Sequence, residues 1–209
     1  MKKAVLFDVD GTLLDAYDFI FEAVKYTLLF HNHPYPADKK IKQAMGKSLV
    51  EFYKVLFPRA DPLILAQTHH KFQHDKFHQV KPFPKASETL QKLKSEGFLI
   101  AAVSNRTREG LKHSLKLAEI FDYFNLIVSA EDVTNPKPHK EHLLFALREF
   151  KVKPANAFMV GDTDNDIQAG KNAGTKTVGV TYGFLGNSIK DYNPDFVIDK
   201  IEELLKVLK

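Results

Sequence analysis

The chain has 209 residues, 44% hydrophobic and 27% charged, with a formal net charge of +4, which bounds it to one globular domain or a core with a modest insertion. It has no cysteine, which excludes disulfides and Cys-ligated zinc and suits a reducing, cytoplasmic setting. No apolar run is long enough to span a membrane, and the scattered lysines point to an anionic small molecule rather than a nucleic acid as partner.

The first predicted element is a strand over Ala4–Phe7. The opening "MKKAVLFDVDG" has a basic start, but its apolar stretch is short and is broken by Asp8, so it reads as a strand and not as a signal peptide. The strand runs straight into Asp8 and Asp10, followed by Gly11 and Thr12. Two carboxylates ~4 Å apart repel by roughly 4 kcal/mol at an effective dielectric of ~20. A divalent cation or a shared proton would offset that cost.

From Ala16 to Val80 the pattern is helical, with no convincing strand. "DFIFEAVKYTLLF", "LVEFYKVLF" and "DPLILAQTHHKFQHDKFHQV" each carry helical spacing. The segment reads as a helical insertion with crossings near Leu14–Tyr17 and Gln79–Pro84. The expected division is therefore residues 1–15 and 81–209 as a core and residues 16–80 as an inserted domain. In the last of these helices His70, His74 and His78 share a face. They could bind a transition metal, although a solvated helix surface is the simpler reading.

Beyond the insertion, helices and strands alternate. Helices are expected over Ala86–Glu96, Arg108–Leu117, His139–Phe150, Asp164–Ala173 and Ile201–Leu208. Strands are expected over Phe98–Val103, Leu126–Val128, Ala157–Val160, Thr177–Val180 and Phe196–Ile198. Gly97, Gly174 and Gly110 read as punctuation, the first two standing where a helix should stop before a strand. Such alternation argues for an α/β fold, a Rossmann-like, doubly wound, mostly parallel sheet carrying an inserted all-helical domain.

In parallel sheets ligands bind beyond the carboxyl ends of the strands. Four predicted strand ends carry chemistry: Asp8 and Asp10; Ser104, Asn105 and Arg106; Lys137 between Pro136 and Pro138; and Asp162, Asp164 and Asp166. Each has a plain alternative, since loops are polar and Asp164 reads as a helix cap. Their coincidence at matching ends points to a phosphoryl site.

In chain order "DVDGT", "SN", "KP" and "GDTDND" resemble the four motifs of the haloacid dehalogenase superfamily, over Phe7 to Gly183. "FDVDGTLLD" and "VGDTDNDIQAGKNAG" look most like its phosphoglycolate phosphatase group, and the insertion resembles that group's helical cap. The resemblance implies a small phosphorylated substrate and a phosphoenzyme. Asp8 would be the nucleophile and Asp10 the general acid and base. Mg²⁺ would be held by Asp8, the main-chain carbonyl of Asp10, and Asp162. Ser104 and Lys137 would bind phosphoryl oxygens and neutralise charge, with Asp166, Thr12 and Asn105 supporting them from behind. "MGKSL" resembles a cap loop that reaches the core site, making Gly46 and Lys47 candidate substrate contacts. Two positions depart from the group: Ala16 where serine is common, and Arg106 where lysine is frequent. A phosphomutase of the β-phosphoglucomutase type would share every motif. A phospho-receiver domain is shorter, lacks an insertion and has its acidic pair before the phosphorylated Asp. Oligomeric state is not legible.

Overall fold

The computed structural model describes residues 2–76 and 80–208. Six strands form one parallel sheet: β1 (Ala4–Phe7), β4 (Leu99–Val103), β5 (Leu126–Val128), β6 (Ala157–Gly161), β7 (Lys176–Val180) and β8 (Phe196–Ile198). Their spatial order is β5-β4-β1-β6-β7-β8. The chain thus winds outward on one side of β1 and on the other side from β6, and the switch point lies between those two strands.

The strands are continuously apolar because both faces are covered. Val5 and Phe7 of β1 pack on one side with Leu90 and Leu93 of α5 (Ala86–Ser95) and Leu111 and Leu115 of α6 (Arg108–Leu117). The short C-terminal helix α9 (Leu204–Val207) joins them through Leu204. Ala4 and Leu6 point the other way. They meet Leu143, Ala146 and Leu147 of α7 (Glu141–Phe150) and Ala169 and Ala173 of α8 (Asp164–Ala173).

Four helices lie between the first two core strands: α1 (Tyr17–Phe30), α2 (Asp38–Ala44), α3 (Leu49–Leu56) and α4 (Pro62–Lys76). They share their own apolar cluster, including Val24, Leu28, Ile41, Phe52, Tyr53 and Leu65. Ser48 caps α3 by accepting from Glu51 N at 3.4 Å. Ala16, one of the departures noted in the sequence, gives α1 no side-chain cap.

Most differences from the sequence expectations are shifts of one or two residues at element ends. Two are larger. Helix α2 was not expected: "DKKIKQA" offers only Ile41 and Ala44 as buried positions, too few for a periodic signal. The two crossings of the insertion pair with each other, β2 (Leu14–Asp15) running antiparallel to β3 (Lys81–Pro82). Strands of two residues carry no alternation to read. Gly110 lies inside the helix expected over Arg108–Leu117. It sits in the first turn of α6, where its N–H donates to the Thr107 cap at 3.3 Å. The cap of α8 is Thr163 and not Asp164, which is the first helical residue. His78 lies outside the described residues.

Leu6 is fully buried in the central strand. Leu6→Ala should cost about 2–5 kcal/mol of stability, the loss typical of a buried leucine whose cavity collapses incompletely. Urea unfolding measures it, and a loss under ~1 kcal/mol would mean that the α7–α8 face closes over the gap.

Candidate active site

The switch point places the ends of β1 and β6 side by side. Phe7 pairs with Val160, and Asp8 N–H donates to Val160 O at 2.9 Å, so Asp8 and Asp162 leave the sheet as neighbours. Gly11 takes a left-handed turn at φ 84° directly after the acidic pair. A Cβ there would overlap the Asp162 carboxylate, so only glycine lets the two loops approach this closely.

Lys137 joins the ends together. It is 4% exposed, and its ammonium donates to Asp8 Oδ1 at 2.7 Å, Asp166 Oδ1 at 2.7 Å and Val103 O at 2.8 Å. All three ammonium hydrogens have acceptors. Burial works against the charge, but Asp166 and Asp8 outweigh it and hold the Lys137 pKa above the ordinary lysine value. The loop itself is clamped by Asn105, whose Oδ1 accepts from Lys137 N at 3.0 Å while Nδ2 donates to Lys137 O at 2.9 Å. Asn105 Nδ2 also donates to Gly46 O at 2.7 Å, and Asn165 Nδ2 to Met45 O at 3.3 Å. The "MGKSL" loop is therefore tied to the strand ends by two core amides.

Asp166 caps its own helix: Oδ2 accepts from Thr163 N at 3.0 Å and from Thr163 Oγ1 at 2.7 Å. Asp162 accepts from Thr12 Oγ1 at 3.0 Å and from Phe184 N at 2.8 Å. The latter donor is a backbone group, and nothing in the sequence signals it. Asp8, Asp162 and Asp166 are buried and bring carboxylate oxygens within 4.8 Å of one another. Burial pushes the Asp8 carboxyl up to about 7 despite the pull of Lys137. Burial, then Asp8 and Asp166, push Asp162 well above the usual range as well. Three carboxylates against one ammonium leave the cluster short of positive charge, so the donor set suits a hard divalent cation. Among the described residues no histidine group forms such a cluster. His74 instead stacks on His113 of α6 at 6.0 Å, and His70 lines a cavity.

Asp10 stands apart from the three. Its two oxygens accept from the Arg106 guanidinium at 3.2 and 3.3 Å. Ser104 sits at the end of β4, 3% exposed, and its Oγ accepts from Arg106 N at 3.3 Å. A cavity of about 350 Å³ opens on Asp8, Asp10, Ser104 and Arg106 from the sheet and on Lys47 and His69 from the helical segment.

The pattern of haloacid dehalogenase-like hydrolases matches residues 5–180. The chain belongs to this family. It is a hydrolase of the phosphatase type. Pyrophosphatase PpaX of Bacillus cereus (strain Q1) is 36% identical over 212 residues, which cover 99% of this chain and 96% of that protein. A haloacid dehalogenase-like hydrolase of Bacteroides fragilis superposes with a TM-score of 0.90 at 29% identity, over 98% of this chain and 100% of the other. A predicted phosphoglycolate phosphatase of Haemophilus somnus gives 0.91 at 22% identity, over 100% and 98%. At that identity the likeness is one of fold. No described helix is long and apolar enough to cross a membrane.

Behind the Lys137 loop lies His142, fully buried, with Nε2 donating to Ser129 O at 3.0 Å. Burial, reinforced by the Lys137 charge, pushes its pKa down to about 4. The native ring therefore binds fewer protons than the unfolded ring between the folded value and the ordinary ~6.5, so its contribution is complete above pH ~6.5 and is lost as pH falls. Wild type should lose more stability between pH 7 and 4.5 than His142→Gln, by the order of 1–3 kcal/mol. Urea unfolding at the two pH values measures the difference, and equal losses would show that His142 does not titrate on unfolding.

Proposed function

We propose that the protein is a Mg²⁺-dependent phosphatase that hydrolyses a small phosphorylated substrate through an aspartyl phosphate on Asp8. Residues 1–15 and 81–209 serve as its catalytic core and residues 16–80 as a helical cap. The observation that carries the reading is the Lys137 ammonium shared at 2.7 Å between Asp8 and Asp166, beside Asp162 at the switch point. That arrangement aims one Asp8 oxygen at Lys137 and leaves the other for chemistry.

In the first step an Asp8 oxygen attacks phosphorus, the bond from phosphorus to the leaving oxygen breaks, and Asp10 gives that oxygen a proton. In the second step water attacks phosphorus, Asp10 takes a proton from it, and the bond from phosphorus to Asp8 breaks to release orthophosphate. Ser104 donates to a phosphoryl oxygen, and the Lys137 charge, held against Asp8, offsets the charge that builds there. Asp166 orients Lys137, and Thr12 with Phe184 N holds Asp162. The buried carboxylates fit Mg²⁺: Asp8, Asp162 and the Asp10 carbonyl would hold it, and it would neutralise the Asp8 and phosphoryl charges during attack. Arg106 lies against both Asp10 oxygens, so the oxygen that meets the leaving group has to be turned from the guanidinium. Gly46 and Lys47 bring the cap to the substrate's other end. Inorganic pyrophosphate is the first substrate to test because the relative PpaX is a pyrophosphatase.

The deciding experiment is a hydrolysis panel of pyrophosphate, 2-phosphoglycolate, sugar phosphates and nucleotides with Mg²⁺, run on wild type and Asp8→Asn. Wild type should turn over at least one of them, lose activity in EDTA and regain it with Mg²⁺. Asp8→Asn should give no turnover and no acid-stable phosphoprotein by mass spectrometry of the quenched enzyme. Turnover retained in that variant would remove Asp8 as the nucleophile. Conversion of a sugar phosphate to its isomer without phosphate release would instead make the enzyme a mutase.

Asp10 can be tested against a purely structural role as the partner of Arg106. Asp10→Asn should lose ~10²–10⁴-fold with an alkyl phosphate, the usual worth of general acid–base catalysis, and much less with an activated aryl phosphate. Equal losses on both would mean that Asp10 acts only through its ion pair.

A further inference from the structure

Arg106 follows β4, two residues after Ser104, and lines the same cavity as Asp8, Asp10 and Ser104. Its backbone N–H donates to Ser104 Oγ at 3.3 Å, so the side chain starts beside the phosphoryl-binding hydroxyl. The guanidinium meets Asp10 through a single nitrogen: Nη1 donates to Oδ1 at 3.2 Å and to Oδ2 at 3.3 Å. An arginine built as the fixed partner of a carboxylate makes two parallel bonds from two nitrogens, at about 2.7–2.9 Å. The observed pair is longer and straddles both oxygens from one nitrogen. Both side chains keep 18% of their surface exposed. Asp10 is therefore a loose partner for a guanidinium that stands at the cavity wall.

The charges around the cavity point the same way. Among the described residues that line it, Asp8 and Asp10 are the acids, and both come from the sheet side. In the phosphatase reading Asp8 attacks phosphorus, and one Asp10 oxygen turns from the guanidinium to meet the leaving oxygen. Among the described residues, the helical segment brings no carboxylate to the cavity to take its place. We infer that Arg106 is a specificity-determining residue whose guanidinium binds an oxyanion on the leaving half of the substrate, a phosphoryl or carboxylate group. The inference rests on the phosphatase reading above and adds which substrates that site favours. A guanidinium carries donors only and is always charged, so it suits an oxyanion at every working pH. Its planar fork matches the paired oxygens of a carboxylate or a phosphoryl group. Lys47, from the helical segment, adds positive charge to the same cavity. An anionic leaving half thereby takes the guanidinium from Asp10 and releases the oxygen that the first step needs.

The test uses two pairs of substrates, each matched in the acidity of the leaving oxygen. Pyrophosphate is set against para-nitrophenyl phosphate, and only the former carries a second phosphoryl group. 2-Phosphoglycolate is set against hydroxyethyl phosphate, and only the former carries a carboxylate. Matching keeps proton transfer by Asp10 from biasing either ratio. Wild type should prefer the member whose leaving half is anionic. In Arg106→Gln the ratio of kcat/KM, anionic member over its match, should fall about 10–100-fold, mostly through KM, the magnitude of hydrogen bonds between charged groups. A fall confined to the first pair identifies a phosphoryl group as what Arg106 holds, and one confined to the second pair a carboxylate. Arg106→Lys keeps the charge without the fork and should recover part of the ratio. Arg106→Gln made in Asp10→Asn should lower the ratio by a similar factor, because the contact with substrate does not pass through Asp10. Ratios unmoved in variants whose melting temperature shows them folded overturn the assignment, as does a wild type that prefers the uncharged leaving halves. An effect that vanishes in Asp10→Asn overturns it too, and would make Arg106 only the holder of Asp10. If wild type hydrolyses none of the four, the Asp8 reading fails first and this one with it.

Discussion

The site is organised around one buried ammonium. Lys137 has no water to solvate it, so its position is set by the acceptors that surround it: Asp8 from β1, Val103 O from β4 and Asp166 from α8. Removing one partner of a buried charge pair typically costs ~3–5 kcal/mol, because the remaining charge is left uncompensated. The three strand ends therefore cannot drift apart independently. The carboxylates need the ammonium for the same reason, since burial already pushes Asp8 and Asp162 toward their neutral forms. Each buried charge is tolerable only because the others are present, which concentrates reactivity at the switch point.

Support for that centre comes from groups that do no chemistry. Asn105 holds the Lys137 loop by both its N–H and its C=O, then reaches to Gly46 O on the helical segment. One amide thus couples the placement of the lysine to the placement of the loop above the cavity. Asn165 repeats the device through Met45 O. The helical segment has its own apolar cluster, and Phe184 from the loop after β7 packs into it. The same residue donates its N–H to Asp162. The loop over the cavity and the carboxylates are therefore tied together, through two amide side chains and one backbone N–H.

Much of this was legible from the chain alone. The apolar runs of β1, β4, β6 and β7 are buried on both faces and so read as strands without alternation. Asp8, Ser104 and Asp162 were legible because each follows such a run, and Lys137 because it stands between two prolines in the loop after β5. Elements with little to bury were not. Helix α2 offers two buried positions, and the β2–β3 pair offers two residues a side, so neither leaves a periodic trace. The cap of α8 was misplaced by one residue because Thr163 and Asp164 are both good capping types, and only the backbone angles separate them.

Sequence by itself determined the class of fold, the order of the motifs and which side chains carry charge to the strand ends. These follow from local composition: apolar runs of strand length, helical spacing between them, and polar residues where the runs stop. Tertiary structure alone decided which of those charges meet. It turned Asp10 toward Arg106 and away from the other three carboxylates. It placed Lys137 between Asp8 and Asp166, residues 129 and 29 positions away. It also set His69 against Tyr53 with one nitrogen left over, a contact across two helices. Hydrogen-bond partners at such separations depend on how the layers pack, and packing is a property of the whole fold that no short stretch of sequence contains.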